Sequence, residues 1–161
     1  MLKRICAFLL VLFLPITAFA APISVSAQSA IVINSADNCV IYSKNAYSSM
    51  PMASTTKIMT CLLACESTRL NDTVVITNEM LAGTEGSLIY LKSGDKITLY
   101  DLAVAAMLAS GNDAANAVAF CLSGSITDFV ALMNKKACSI GMKNTYFVTP
   151  SGLDEKNHHS T

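Results

Sequence analysis

Over residues 54–66 the chain reads as a helix with almost no polar face. Ile58, Met59, Cys61, Leu62, Leu63, Ala64 and Cys65 follow one another with only Thr60 between them. A helix that is apolar nearly all round belongs in a protein interior, so the rest of the chain must supply elements to surround it. Residues 99–109, 113–122 and 125–140 read as further helices. The first carries Asp101 in its opening turn, where the helix dipole favours an anion, and the last is ended by Gly141.

The strand content is thin by comparison. Residues 29–33 and 39–43 are short apolar runs separated by Asn34-Ser35-Ala36-Asp37-Asn38, a turn-forming stretch, and read as a β-hairpin. Residues 73–77 are β-branched and read as a strand, 84–96 as glycine-containing loop with a short extended piece, and 145–148 as extended chain before a Pro150-Ser151-Gly152 turn. Two strands rarely hold a sheet together unaided. The expectation is an α+β chain whose remaining sheet strands lie downstream of the residues present.

The length suits one domain. With 11 basic and 11 acidic residues the formal net charge is zero, which argues against a nucleic-acid binder, since such a domain carries a basic patch or stripe. Residues 1–20 have the form of a secretory leader: Lys3 and Arg4, an apolar run from Ile5 to Phe13, and a small-x-small Ala18-Phe19-Ala20 site. The apolar run is short for a membrane span, although an uncleaved anchor is the alternative reading. The expected organisation is therefore a leader over 1–20 and a partial catalytic domain over 21–161, delivered outside the cytoplasm. Of the 6 cysteines, Cys6 lies in the leader. The other five (Cys39, Cys61, Cys65, Cys121 and Cys138) read as small buried hydrophobes. No histidine stands at ligand spacing from them, so no metal is expected.

Ser54-Thr55-Thr56-Lys57 has the S-x-x-K form. On a helix, residues three apart share a face, so the Lys57 amine can reach the Ser54 hydroxyl. A serine hydroxyl becomes a good nucleophile when a base takes its proton. Lysine is that base only when neutral, and burial together with the positive end of the helix dipole lowers its pKa. The N–H of Ser54, at the helix start, is a candidate oxyanion donor. The pattern alone is weak: Ser93-Gly94-Asp95-Lys96 also matches, in a turn with no helix to align it, and a helix-capping serine beside a solvated lysine is the bland reading of Ser54. A second element adds weight. Ser110-Gly111-Asn112 breaks the chain between two helices, where the S-x-N of the penicillin-recognising serine enzymes stands. A plain helix-breaking turn is the competing reading.

Met52 to Thr60 resembles the nucleophile segment of the D-alanyl-D-alanine carboxypeptidases, the low-molecular-mass penicillin-binding proteins. Leu102 to Ala115 is similar to their second motif, and the stretches Phe129–Asn134, Gly141–Thr145 and Ser151-Gly152-Leu153 resemble later segments of the same family. The resemblance implies a β-lactamase/transpeptidase-like fold, a helical cluster with an antiparallel sheet. It also implies hydrolysis of the D-Ala–D-Ala bond of peptidoglycan stem peptides through an acyl-enzyme on Ser54. Lys57 would act as base, Ser110 would relay a proton and Asn112 would orient substrate. Penicillins would acylate the same serine, and no metal or organic cofactor is implied. The family often carries a C-terminal membrane anchor, a region not present in these residues. The chain departs from the pattern in lacking the third motif, since no lysine precedes Thr-Gly or Ser-Gly. That motif supplies carboxylate binding and the second oxyanion donor, so reduced activity of a truncated chain is expected. Two other readings stay open: a class A β-lactamase, against which Gly111 stands where that class has Asp, and an inactive or weakly peptide-binding fragment.

Overall fold

The computed structural model describes residues 23–153 and 159–160; the leader expected over residues 1–20 lies outside them. The chain divides into two compact units, a first ending at Asn45 and a second beginning at Ala46.

The first unit holds the expected hairpin. Strands β1 (Ala30–Ile33) and β2 (Val40–Lys44) pair antiparallel, with Val32 opposite Tyr42 and a bulge between Val32 and Ile33. The turn is shaped by its own side chains. Asn34 Oδ1 accepts the Ala36 N–H at 3.0 Å and Asp37 Oδ1 that of Cys39 at 2.9 Å. Asn38 takes the left-handed backbone that asparagine tolerates. Ile31, Val32, Ile33, Val40 and Ile41 all remain exposed, so this ribbon buries little of its apolar surface.

The second unit is built on helices: α1 (Lys57–Glu66), a single turn α2 (Asn78–Leu81), α3 (Leu99–Leu108), α4 (Asn112–Ser123) and α5 (Ile126–Ser139). A 3₁₀ turn, Ala53–Thr56, leads into α1. Helices α3, α4 and α5 fall within one residue of their expected limits, while α1 begins three residues later than expected because residues 53–56 take the 3₁₀ turn. Two begin with reciprocal caps that fix those limits: Thr98 Oγ1 accepts the Asp101 N–H at 3.0 Å, and Ser125 Oγ accepts that of Asp128 at 3.1 Å. The strand expected at 73–77 is β3 (Thr73–Val75). Its partner β4 (Lys96–Thr98) starts at the last residue of the expected 84–96 loop and runs up to α3, where the sequence indicates no strand; the ladder sets Val74 opposite Ile97.

The centre of the unit differs from expectation. Helix α4 is the most enclosed element, with Ala114, Ala115, Ala117, Val118 and Ala119 fully buried. It packs against α1, α3 and α5, and its small side chains let three neighbouring backbones approach it at once. Helix α1 buries Lys57, Met59, Thr60, Cys61, Leu63 and Ala64 but leaves Ile58 60% exposed and Cys65 exposed. That stripe borders an apolar groove of about 340 Å³ with Met52, Leu62, Ile140, Met142 and Phe147 in its walls. The reading of the five cysteines as buried hydrophobes is corrected likewise: Cys61 is buried and Cys121 half-buried, while Cys39, Cys65 and Cys138 are exposed. The last two sit near helix ends, on faces the core leaves uncovered.

The segment after α5 returns to the start of α1. Asn134 clamps it by accepting the Phe147 N–H at 2.8 Å and donating to the Phe147 carbonyl at 2.9 Å. Thr60 Oγ1 donates to the Pro150 carbonyl at 2.6 Å. Gly152 then turns with φ +78° directly against the 3₁₀ turn. A Cβ there would collide with the Ala53 carbonyl and come within 2.6 Å of Thr56 Oγ1. Gly152→Ala is therefore expected to lower the unfolding free energy by at least about 2 kcal/mol, through backbone strain and overpacking together. Denaturant melts test this; a wild-type midpoint would refute it.

Candidate active site

The 3₁₀ turn ahead of α1 decides where the S-x-x-K side chains go. A 3₁₀ helix has three residues per turn, so positions i and i+3 eclipse. Ser54 and Lys57 project together, with Lys57 Nζ 3.2 Å from Ser54 Oγ. Ala53, just before the serine, has φ +46°, a left-handed conformation that costs a non-glycine residue about 1–2 kcal/mol. Helix geometry leaves the N–H groups at the start of such a turn without intrahelical acceptors, and that of Ser54 is among them.

Ser110 arrives from the break between α3 and α4. Its own φ of +55° swings the hydroxyl across to the serine. Ser110 Oγ donates to Ser54 Oγ at 2.9 Å and lies 3.4 Å from Lys57 Nζ. The structure thus brings three of the four residues singled out from the sequence into one polar cluster. The fourth, Asn112, borders the same cleft but faces its far wall, donating from Nδ2 to the Glu85 carbonyl at 2.6 Å. The cleft, about 250 Å³, is lined by Ala53, Ser54, Gly86, Ser87, Asn112, Ser151, Gly152 and Leu153. The competing S-x-x-K match has no such geometry. Ser93 and Gly94 form a turn, in which the Gly94 N–H donates to the Ile76 carbonyl at 2.8 Å, and Lys96 opens strand β4 with an exposed side chain.

Lys57 is 1% exposed, and neither ion pair among the described residues, Arg69–Asp72 or Glu66–Lys136, involves it. It donates instead to the Ser151 carbonyl at 2.8 Å. Burial away from water pushes its pKa below the ordinary lysine value, and the neighbouring Cys61 offsets this only in part. A neutral amine that spends one N–H on Ser151 keeps a lone pair for the Ser54 proton. Ser110, by donating to Ser54 Oγ, leaves the Ser54 hydrogen free to point at that lone pair. The cluster can therefore generate an alkoxide-like oxygen at the mouth of a cleft.

Sequence reading missed several members of this site. Ser151-Gly152 entered as a turn and as part of a family-like segment with no role assigned, yet its backbone holds the lysine and closes one wall. Gly86 and Ser87 form another wall from a stretch read as plain loop. The one signal pointing to Ser151 and Gly152 was the likeness of Ser151-Gly152-Leu153 to a family segment. No group of three or more His, Cys, Asp or Glu side chains among the described residues is arranged to hold a metal ion.

A sequence profile described as D-alanyl-D-alanine carboxypeptidase matches residues 16–161. The chain belongs to this family. It is 41% identical over 140 residues to the D-alanyl-D-alanine carboxypeptidase DacF of Bacillus subtilis, covering 84% of this chain and 36% of that one. The crystal structure of the D-alanyl-D-alanine carboxypeptidase DacD from Francisella tularensis matches with a TM-score of 0.81 at 32% identity, over 88% of this chain and 35% of that one. Penicillin binding protein 5 from Haemophilus influenzae matches with a TM-score of 0.81 at 30% identity, over 88% and 43% respectively. The α+β, transpeptidase-like class expected from the sequence is thus the fold of the family, and the described residues form part of it. The chain spans less than half the length of the curated relatives it matches.

The burial of Lys57 has a thermodynamic signature. Its native pKa lies below the unfolded value, so between the two the unfolded chain binds more protons and stability rises with pH. Below the native value both states are charged and the full penalty of burial remains; above the ordinary lysine value both are neutral and it is gone. Relative to Lys57→Met, the wild type is expected to gain stability as pH is raised from neutrality toward the ordinary lysine range. Paired melts measure this, and a pH-independent difference would contradict it.

Proposed function

We propose that this chain carries the nucleophile half of a serine D-Ala-D-Ala carboxypeptidase that trims peptidoglycan stem peptides. The observation that carries the reading is the Ser54–Lys57–Ser110 cluster around a buried amine that pairs with no carboxylate among the described residues; family membership supplies the substrate class. In this reading Ser54 Oγ attacks the carbonyl of the penultimate D-Ala while its proton passes to neutral Lys57. Ser110 hands a proton on to the departing amine of the terminal D-Ala. The acyl group stays on Ser54 until water, activated at the same lysine, releases the shortened peptide. Asn112 orients the substrate: with its Nδ2 spent on Glu85, its carbonyl oxygen is the group that accepts a substrate N–H. A β-lactam ring enters the same path and acylates Ser54.

One further element belongs to the proposal. Residues 1–20 act as an export leader, so the enzyme works outside the cytoplasm against the cell wall.

Labelling with a fluorescent penicillin tests the assignment. Ser54→Ala is expected to abolish covalent label. Lys57→Arg, which cannot present a neutral amine, should slow acylation by about a thousandfold, the scale of a lost general base. The acylation rate of the wild type should rise with pH through the depressed Lys57 pKa. Undiminished labelling of Ser54→Ala would remove that residue from the role.

A further inference from the structure

The second motif continues past its two assigned residues into a buried acid. Asp113 is 2% exposed, and neither ion pair among the described residues includes it. A carboxylate out of water needs hydrogen-bond donors in place of solvent. Asp113 finds them in the backbone of the loop before β4: Oδ1 accepts the N–H of Ile89 at 3.1 Å and Oδ2 that of Leu91 at 3.0 Å. Tyr90, between them, has φ +62°. That left-handed residue turns the two flanking N–H groups the same way, so that one carboxylate takes both, as in a backbone nest.

From this anchor the loop runs back to the cleft. There the start of α4 holds it twice more: the Asn112 N–H donates to the Ser87 carbonyl at 2.8 Å and Asn112 Nδ2 to that of Glu85 at 2.6 Å. Gly86 lies so close to the same amide that a Cβ would stand 3.1 Å from Nδ2. The base of the loop is therefore set by Asp113, and its tip sets the Asn112 amide.

We propose that Asp113 is a positioning residue: by clamping residues 89–91 it fixes the loop whose Glu85 carbonyl orients Asn112 and whose Gly86–Ser87 edge walls the cleft. The proposal rests on the reading of Ser54 as nucleophile and Asn112 as substrate holder. Lys57 and Ser54 take their hydrogen bonds from elsewhere, so the clamp acts on how substrate is held and leaves the Ser54–Lys57 proton transfer alone.

Asp113→Asn is nearly isosteric, but its NH₂ cannot accept an N–H, so one of the two loop amides is left unpaired. In the full chain, amide hydrogen exchange should quicken about tenfold or more at Ile89 and Leu91, with protection of α1 retained. The concentration of fluorescent penicillin giving half-maximal acylation rate should rise about tenfold, with the pH profile of the saturated rate unchanged. Unchanged exchange at both amides would overturn the proposal. So would loss of protection throughout α1, which marks a general structural role, or a shifted pH profile at unchanged half-saturation. Should the wild type take no label at all, the nucleophile reading is what fails, and the exchange comparison still decides whether Asp113 clamps the loop.

Discussion

The site depends on one unusual burial, a lysine amine taken out of water that pairs with no carboxylate among the described residues. A charged ammonium in that place is costly, and the protein relieves the cost by favouring the neutral form and giving it a carbonyl, that of Ser151, to donate to. The amine also ties together three stretches far apart in sequence: the 3₁₀ turn at Ser54, the interhelical break at Ser110 and the turn at Ser151. Each of these places one partner around the amine: Ser54 Oγ at 3.2 Å, Ser110 Oγ at 3.4 Å and the Ser151 carbonyl at 2.8 Å.

Backbone strain is spread over the same three stretches. Ala53 and Ser110 hold left-handed conformations that ordinary residues avoid, and Gly152 holds one that only glycine could occupy against the Ala53 carbonyl. Such strain persists where the surrounding packing over-determines it. That packing comes from α4, whose alanines bring α1, α3 and α5 close enough to fix the ends from which the strained residues project. Stability is thus drawn from the helical core and spent at its rim, where the chemistry is.

The second motif joins two tasks in adjacent residues. Ser110 faces the nucleophile, while Asn112 and Asp113 face the loop that forms the opposite wall of the cleft. The helix start between them makes this division possible: a left-handed Ser110 followed by the first turn of α4 sends successive side chains to different sides. Gly111 sits at the pivot, and a Cβ there would stand 3.2 Å from both Asp113 Oδ1 and an Ile89 methyl.

The four long helices, the hairpin and the S-x-x-K and S-x-N residues could be read from the amino-acid order, because each rests on local signals: apolar runs, caps, turn formers, and a spacing that one helical turn converts into contact. Strand β4 could not, since Lys96–Thr98 becomes a strand only by pairing with β3 across more than twenty residues. Nor could the open stripe at Ile58, because composition reports how apolar a helix is but not which of its faces a neighbour covers. By itself the sequence determined that Ser54 and Lys57 would share a face. Folding in three dimensions decided that Ser110 would join them, that a Ser151 carbonyl would accept from the amine and that Asp113 would reach the loop. Those contacts join positions 22 to 94 residues apart, and a contact at such range is set by packing, which no local rule contains.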